Sequence, residues 1–309
     1  MRKDIMNTIK SLADRIQILK EEKDAIILAH NYQVGEVQDI ADFVGDSLQL
    51  SIEASKVTNS IIVFCGVHFM AETAKILNPD KMVLLPDSNA GCPMADMITA
   101  DQLRELKEKH PGAVVICYVN STAEVKALSD ICCTSSNAIK VVESVPEDKD
   151  IIFIPDKYLG SYIQGKTGRK MIFWNGYCPT HNRINAKQII ELKKKHLDAE
   201  VIVHPENTPE VIEVADRVES TGGMLKYMKD SDNKSFIVGT EVGIIHRLKK
   251  ESPDKEFIPA FAKAICPNMK LITLEKVLWA LEGEETKIEV PEDIAVKAKS
   301  AIDRMIALK

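Results

Sequence analysis

No stretch of the 309-residue chain is long and apolar enough to suggest a membrane span. The opening "MRKDIMNTIKSLADRIQIL" places apolar residues at 5, 9, 12, 16 and 19. That is helical spacing interrupted by charges, so neither a signal peptide nor a membrane segment is expected. An excess of positive charge is also missing: 40 Lys and Arg are scattered among 46 Asp and Glu, leaving a net charge of −6. Such a surface does not track phosphates, so no nucleic-acid partner is expected. The seven cysteines are odd in number and include no Cys-x₂₋₄-Cys pair. With no export signal, this points to a reducing cytoplasm, where cysteines bind metal, react or fill core.

What is present is a repeat. Cys-Pro occurs at Cys92, Cys178 and Cys266, at intervals of 86 and 88 residues. "LKEEKDAIILAHNYQ", "LKEKHPGAVVICYVN" and "LKKKHLDAEVIVHPE" begin at Leu19, Leu106 and Leu192. "ADFVGDS", "SDICCTS" and "ADRVEST" each place a hydroxyl five residues after an Asp (Asp42, Asp130, Asp216). Helix-start patterns "ITADQL", "INAKQI" and "ITLEKV" follow each Cys-Pro. Landmarks that share one order and one period mark an internal repeat.

Each unit reads as a helix followed by four short apolar strands separated by helices, ending at its cysteine. Continuous runs such as "AIILAH", "AVVICYV" and "SFIVGT" suit strands buried on both faces. The fold class expected is α/β: three α/β/α domains with small parallel sheets, related by pseudo-threefold symmetry, their active site at the common centre. The boundaries are 1–92, 93–178 and 179–266. Residues 267–309 are predicted to form two helices that pack back on the first domain.

Ligands in open parallel sheets bind beyond the carboxyl ends of the strands. After the first strand of each repeat come His30 and Tyr32, Tyr118 and Asn120, and His204 and Glu206. If the strand continues, each i, i+2 pair projects to one side. A single such pair is an ordinary polar strand end; three equivalent pairs favour a site. After the second strand come Ser47, Ser135 and Thr221, each predicted at a helix start, where free N–H groups favour an anion. Simple N-capping is the alternative for any one of them. No Arg or Lys recurs at these positions.

Cys65, Cys117, Cys132 and Cys133 lie in apolar strands and are expected in the core. Cys92, Cys178 and Cys266 close equivalent loops and make a natural metal site. Two metals compete: zinc, with His181 in "CPTH" completing the set, or an iron–sulfur cluster held by three cysteines with one iron open.

The segments "ILAHNYQ", "DIADFVGDSLQL", "GVHFMAETAKILNPDK", "YVNSTAE", "IVHPE", "STGGM" and the three Cys-Pro loops resemble the quinolinate synthase family in its short form. The resemblance runs from about residue 24 to residue 275. It implies three pseudo-symmetric domains around a [4Fe–4S] cluster held by Cys92, Cys178 and Cys266. It also implies condensation of iminoaspartate (iminosuccinate) with dihydroxyacetone phosphate, releasing phosphate and water, for de novo NAD synthesis. An aspartate oxidase or dehydrogenase is the expected source of iminoaspartate. By the same resemblance His30, Ser47, Tyr118, Val119, Asn120, Ser135, His204, Pro205, Glu206 and Thr221 become substrate ligands. Tyr32 and Glu206, with His204 as a further candidate, have the chemistry for proton transfer. Longer members carry Cys-x-x-Cys-x-x-Cys near the last ligand; here "CPNMK" leaves Cys266 alone. A different iron–sulfur hydro-lyase and a metabolite sensor with a structural metal are the competing readings.

Overall fold

The computed structural model describes residues 2–308. The first repeat contains α1 (Arg2–Glu22), β1 (Ala25–His30), α2 (Gly35–Ile40), β2 (Phe43–Gly45), α3 (Ser47–Ala54), β3 (Ile61–Cys65), α4 (His68–Leu77) and β4 (Met82–Leu84). The second contains α5 (Ala100–Lys109), β5 (Val114–Tyr118), α6 (Ala123–Ala127), β6 (Ile131–Cys133), α7 (Ala138–Glu143), β7 (Ile151–Ile154), α8 (Lys157–Thr167) and β8 (Ile172–Phe173). The third contains α9 (Ala186–Lys195), β9 (Glu200–Val203), α10 (Pro209–Glu213), β10 (Arg217–Val218), α11 (Thr221–Asp230), β11 (Ser235–Gly239), α12 (Ile244–Glu251) and β12 (Glu256–Pro259). Helices α13 (Leu274–Gly283) and α14 (Glu292–Ala307) follow. Each repeat forms a four-stranded sheet whose strand order is second, first, third, fourth, with every pairing between these strands parallel. This is the α/β class, with three small parallel sheets flanked by helices.

The sequence landmarks have mechanical reasons. Asp42, Asp130 and Asp216 each accept a hydrogen bond from a first-strand N–H (Ile27, Val115, Val201), all at 2.8 Å. Their own N–H groups return bonds to the carbonyls of those same residues at 2.9, 3.0 and 2.9 Å. Each Asp therefore closes a two-way brace between the central strand and the turn into its edge strand, satisfying backbone groups beyond the short ladder. The Ile-Thr/Asn landmark is a helix entry. Thr99, Asn185 and Thr273 cap α5, α9 and α13 through their side chains. Ile98, Ile184 and Ile272 before the caps, and Leu103, Ile189 and Val277 one turn on, are all buried. That is the pattern of a hydrophobic staple, repeated three times.

The chain divides into two compact units. One holds residues up to Cys92 together with Cys266–Pro291; the other holds Pro93–Ile265 and the segment from Glu292. The two C-terminal helices accordingly go to different places. Helix α13 packs on α1, and residues 286–288 bond back to Val83 and Leu85 beside β4. Helix α14 instead packs on α6 and β6 of the second repeat, which corrects the expectation that both return to the first. It buries Ala298, Ala301, Ile302 and Met305. The Asn137 amide caps its end by donating to the Met305 carbonyl at 3.0 Å, and Arg304 donates to the Asp130 carbonyl at 2.8 Å.

Candidate active site

In the larger unit the carboxyl ends of β5 and β9 bring four expected residues together. The Tyr118 hydroxyl donates to Glu206 Oε1 at 2.6 Å, and His204 Nε2 lies 3.1 Å from Ser135 Oγ. Tyr118, His204 and Glu206 are all at least 95% buried. The i, i+2 pairs do not extend the strands as expected. Strand β9 ends at Val203, and the chain turns so that the Glu206 N–H donates to His204 Nδ1 at 3.3 Å. Pro205 sits inside that turn and offers no N–H, while Asn207 ties it down by donating to the His204 and Gly239 carbonyls, both at 2.8 Å. Accepting at Nδ1 places the His204 proton on Nε2, facing Ser135. The outward donor is thereby set by the backbone turn.

Two further groups complete this site. His181 Nδ1 lies 2.7 Å from Glu206 Oε2 and 3.2 Å from Cys178 Sγ, and its Nε2 lies 2.8 Å from Thr240 Oγ1. The His181 and His204 rings stack with centroids 4.8 Å apart. The loop carrying Cys178 is stitched to the end of β7: Trp174 donates to the Phe153 carbonyl, Gly176 to that of Pro155, and Lys157 back to that of Gly176. Here glycine is required, because a Cβ on Gly176 would sit 2.4 Å from the Pro155 oxygen. Next to this stitch Asp156 caps α8, its Oδ1 accepting from the Tyr158 and Leu159 N–H groups at 2.8 Å.

The electrostatics separate these groups. Burial, with His181 adding to it, holds the His204 imidazole down at about 3 despite the nearby Glu206, so the ring is neutral near pH 7. Burial also opposes ionisation of Glu206. His181 beside it, with hydrogen bonds from His181 and Tyr118, outweighs burial and holds this carboxyl well below the usual carboxylate range. Asp156 goes the other way, raised by burial and then by the charge of Glu206. Environment thus pushes the two carboxyls in opposite directions, Asp156 toward the neutral form and Glu206 toward the charged one.

Val119 is buried and gives its N–H to the Cys133 carbonyl at 2.9 Å. Asn120 is half-buried, and its buried Oδ1 has no hydrogen-bond partner. Thr221 is the first residue of α11, and Ser220 before it supplies the cap by accepting from the Gly223 N–H at 3.1 Å. In the smaller unit Ser47 likewise opens α3 while Asp46 caps it. Both hydroxyls stand at helix starts as expected, yet neither does the capping. Ser135 differs: it lies in the turn ahead of α7, whose first residue is Ala138, so it does not open a helix. His30 repeats the His204 turn, its Nδ1 accepting from the Tyr32 N–H at 3.2 Å, with the two rings edge to face.

The cysteines fall into two sets. Cys65, Cys117, Cys132 and Cys133 have no exposed surface and lie in strands; burial pushes the thiols of Cys65 and Cys133 up. Cys92, Cys178 and Cys266 are half-buried in loops, and none of the seven forms a disulfide. In the smaller unit the Cys266 loop is held at three consecutive residues. Asn268 donates to the Gly91 carbonyl at 2.8 Å, Met269 Sδ accepts from Gln33 Nε2 at 3.4 Å, and Lys270 donates to the Tyr32 carbonyl. Cys266 is thereby tied both to the residue before Cys92 and to the turn that carries Tyr32.

The profile of the quinolinate synthetase A protein family matches residues 14–307. The chain belongs to the quinolinate synthase family. It is 58% identical over 295 residues to a quinolinate synthase of Dehalococcoides mccartyi, covering 96% of this chain and 97% of that one. The enzymes of Thermodesulfovibrio yellowstonii (55% over 301 residues; 97% and 99% covered) and Methanosarcina barkeri (53% over 298 residues; 96% and 98% covered) are similar over the same extent. The match along nearly the whole of each relative places this chain among the short members of the family. Among the described residues no helix is long and apolar enough to cross a membrane.

For a member of the quinolinate synthase family, the residues that sequence reasoning left out lie at the ends of the third strands. Strand register makes Gly66, Pro155 and Thr240 equivalent, and after them Val67, Asp156 and Glu241. These positions share no residue type, so the repeat could not flag them. A helix-capping Asp directly after an apolar strand was the one available signal for Asp156.

Proposed function

We propose that this protein condenses iminoaspartate with dihydroxyacetone phosphate to quinolinate, releasing phosphate and water, as a transferase of de novo NAD biosynthesis in the cytoplasm. The observation that carries the reading is the hydrogen-bonded group of Tyr118, Glu206, His204 and Ser135 at parallel strand ends, beside Cys178, in a chain matched by this family over residues 14–307. An aspartate oxidase or dehydrogenase would supply the unstable imine.

The donor set fits an iron–sulfur cluster. Cys92, Cys178 and Cys266 are the three cysteines outside strand cores, each half-buried and none in a disulfide. Three such thiolates drawn from distant loops suit a [4Fe–4S] cluster better than zinc, which favours closely spaced pairs. Bound there, the cluster would supply a Lewis-acidic iron with an open position.

The remaining chemistry falls to side chains. Glu206 has the carboxylate to accept a proton from carbon or from the attacking nitrogen, and Tyr118 can return a proton through the hydrogen bond they share. Tyr32, beside His30, is the phenol of the smaller unit with the same capacity. Neutral His204 can donate from Nε2 to a substrate oxygen without itself changing charge. The Ser47, Ser135 and Thr221 hydroxyls can donate to the carboxylates or phosphate of the substrates, and the unpaired Asn120 oxygen can accept from a substrate amine or hydroxyl.

Titration of cluster-loaded protein with quinolinate tests this assignment. A charge-assisted hydrogen bond contributes roughly 1.5–3 kcal/mol, so Ser47→Ala, Ser135→Ala and Thr221→Ala should each weaken binding roughly tenfold to a hundredfold. Thr221→Ser should lose less than Thr221→Ala. Parent-like affinity in all three alanine variants would remove the hydroxyls from the ligand site.

A further inference from the structure

Cys178, His181 and Glu206 share a property that the synthase reading does not use. Their donor atoms, one Sγ, one imidazole nitrogen and one carboxylate oxygen, all lie within 4.8 Å of one another. His181 Nδ1 is 3.2 Å from the sulfur and 2.7 Å from Glu206 Oε2, so a proton on Nδ1 is shared between the two acceptors. A tetrahedral ion with bonds of about 2.0–2.3 Å needs donors roughly 3.3–3.7 Å apart, so the His181–Glu206 pair would open to admit it in place of the proton they share.

The outer partners that such a site needs are already in place. Ligating imidazoles are oriented by a hydrogen bond at the other ring nitrogen, and ligating carboxylates by one at the second oxygen. His181 Nε2 has Thr240 Oγ1 at 2.8 Å, and Glu206 Oε1 has the Tyr118 hydroxyl at 2.6 Å. His181 and Glu206 are at least 95% buried, while Cys178 is half-exposed and offers an entry. Beside them lies the buried Asp156, close enough to feel the charge of Glu206 and the backbone N–H of Cys178. The mixture of thiolate, imidazole and carboxylate suits Zn²⁺ or Co²⁺, whereas Mg²⁺ and Ca²⁺ prefer oxygen alone.

We propose that Cys178, His181 and Glu206 form a mononuclear site for a divalent transition ion, filled when the chain carries no cluster. One consequence rests on the cluster reading above: an ion held here occupies Cys178 and removes Glu206 from proton transfer. Zinc-loaded chains would then be inactive and closed to cluster assembly.

The test uses Co²⁺ with the full chain carrying Cys92→Ala and Cys266→Ala, which leaves only this trio at the three loops. Prepared without metal, it should bind one Co²⁺ per chain, with a thiolate-to-cobalt charge-transfer band and visible bands of a four-coordinate ion. Adding Cys178→Ser should abolish the charge-transfer band. His181→Ala or Glu206→Gln should weaken binding at least tenfold, and Thr240→Ala roughly tenfold or more through the lost outer hydrogen bond. No charge-transfer band, or equal affinity after His181→Ala, overturns the proposal. Should the double variant not fold, zinc retention by the cluster-free parent and by its His181→Ala form decides instead: equal retention contradicts the site. The cluster reading is judged separately, by iron and sulfide in the anaerobically reconstituted parent, so either idea can fail alone.

Discussion

Replacing Cys92, Cys178 or Cys266 with alanine is expected to yield a folded protein that binds no iron–sulfur cluster and makes no quinolinate. Cys65→Ala, Cys132→Ala and Cys133→Ala should keep both iron and activity. The division follows from position. The first three side chains are half-buried on loops, whereas Cys65, Cys132 and Cys133 have no exposed surface within strands. A thiolate is the ligand form, and burial raises the thiols of Cys65 and Cys133 away from it. The loop cysteines are also mechanically supported. Asn268 holds the Cys266 loop to Gly91, and the end of β7 holds the Cys178 loop through Gly176. Iron and acid-labile sulfide per chain after anaerobic reconstitution provide the readout. Parent-like iron in any one of the three loop variants would remove that residue from the cluster.

The second large effect is expected at Glu206. Glu206→Gln keeps the size and can still accept from Tyr118, but it cannot take a proton. Turnover should fall ~10²–10⁴-fold, the usual contribution of a positioned general base. Cluster content and folding should be retained, because the amide fills the same buried space. Tyr32→Phe should show a loss of the same order, arising from the smaller unit. Single-turnover measurement of quinolinate formation on cluster-loaded variants separates this chemistry from binding. Turnover within a few-fold of the parent in Glu206→Gln would transfer the role to another group, with neutral His204 tested next.

Much of the fold was legible because the repeat is written in residue types with mechanical duties. The recurring Asp braces a strand, the Ile-Thr/Asn pair caps and staples a helix, and short apolar runs become central strands. The same logic singled out Tyr118, Ser135, His204 and Glu206, among which the structure shows a Tyr118–Glu206 and a His204–Ser135 hydrogen bond. Position within the site was less legible. The strand-end pairs turn rather than run on, because His204 and His30 accept from the N–H two residues ahead. An i, i+2 spacing cannot report such a turn. Ser135 precedes its helix instead of opening it, since the segment through Asn137 forms a polar turn first. Asp156 and Thr240 escaped notice because equivalent positions in the three repeats carry unlike residues. Helix α14 shows an apolar face in its sequence, but a face does not name its partner. The Asn137 and Arg304 bonds that fix it on the second repeat join residues far apart in the chain.

Quinolinate formation by the cluster-loaded protein is the activity on which every role proposed above depends. Anaerobically reconstituted protein incubated with dihydroxyacetone phosphate and freshly generated iminoaspartate tests it most directly, with quinolinate quantified by mass. Quinolinate should accumulate over many turnovers with stoichiometric phosphate, and none should form when either substrate or the cluster is left out. Iron-loaded protein that forms no quinolinate from both substrates would contradict it.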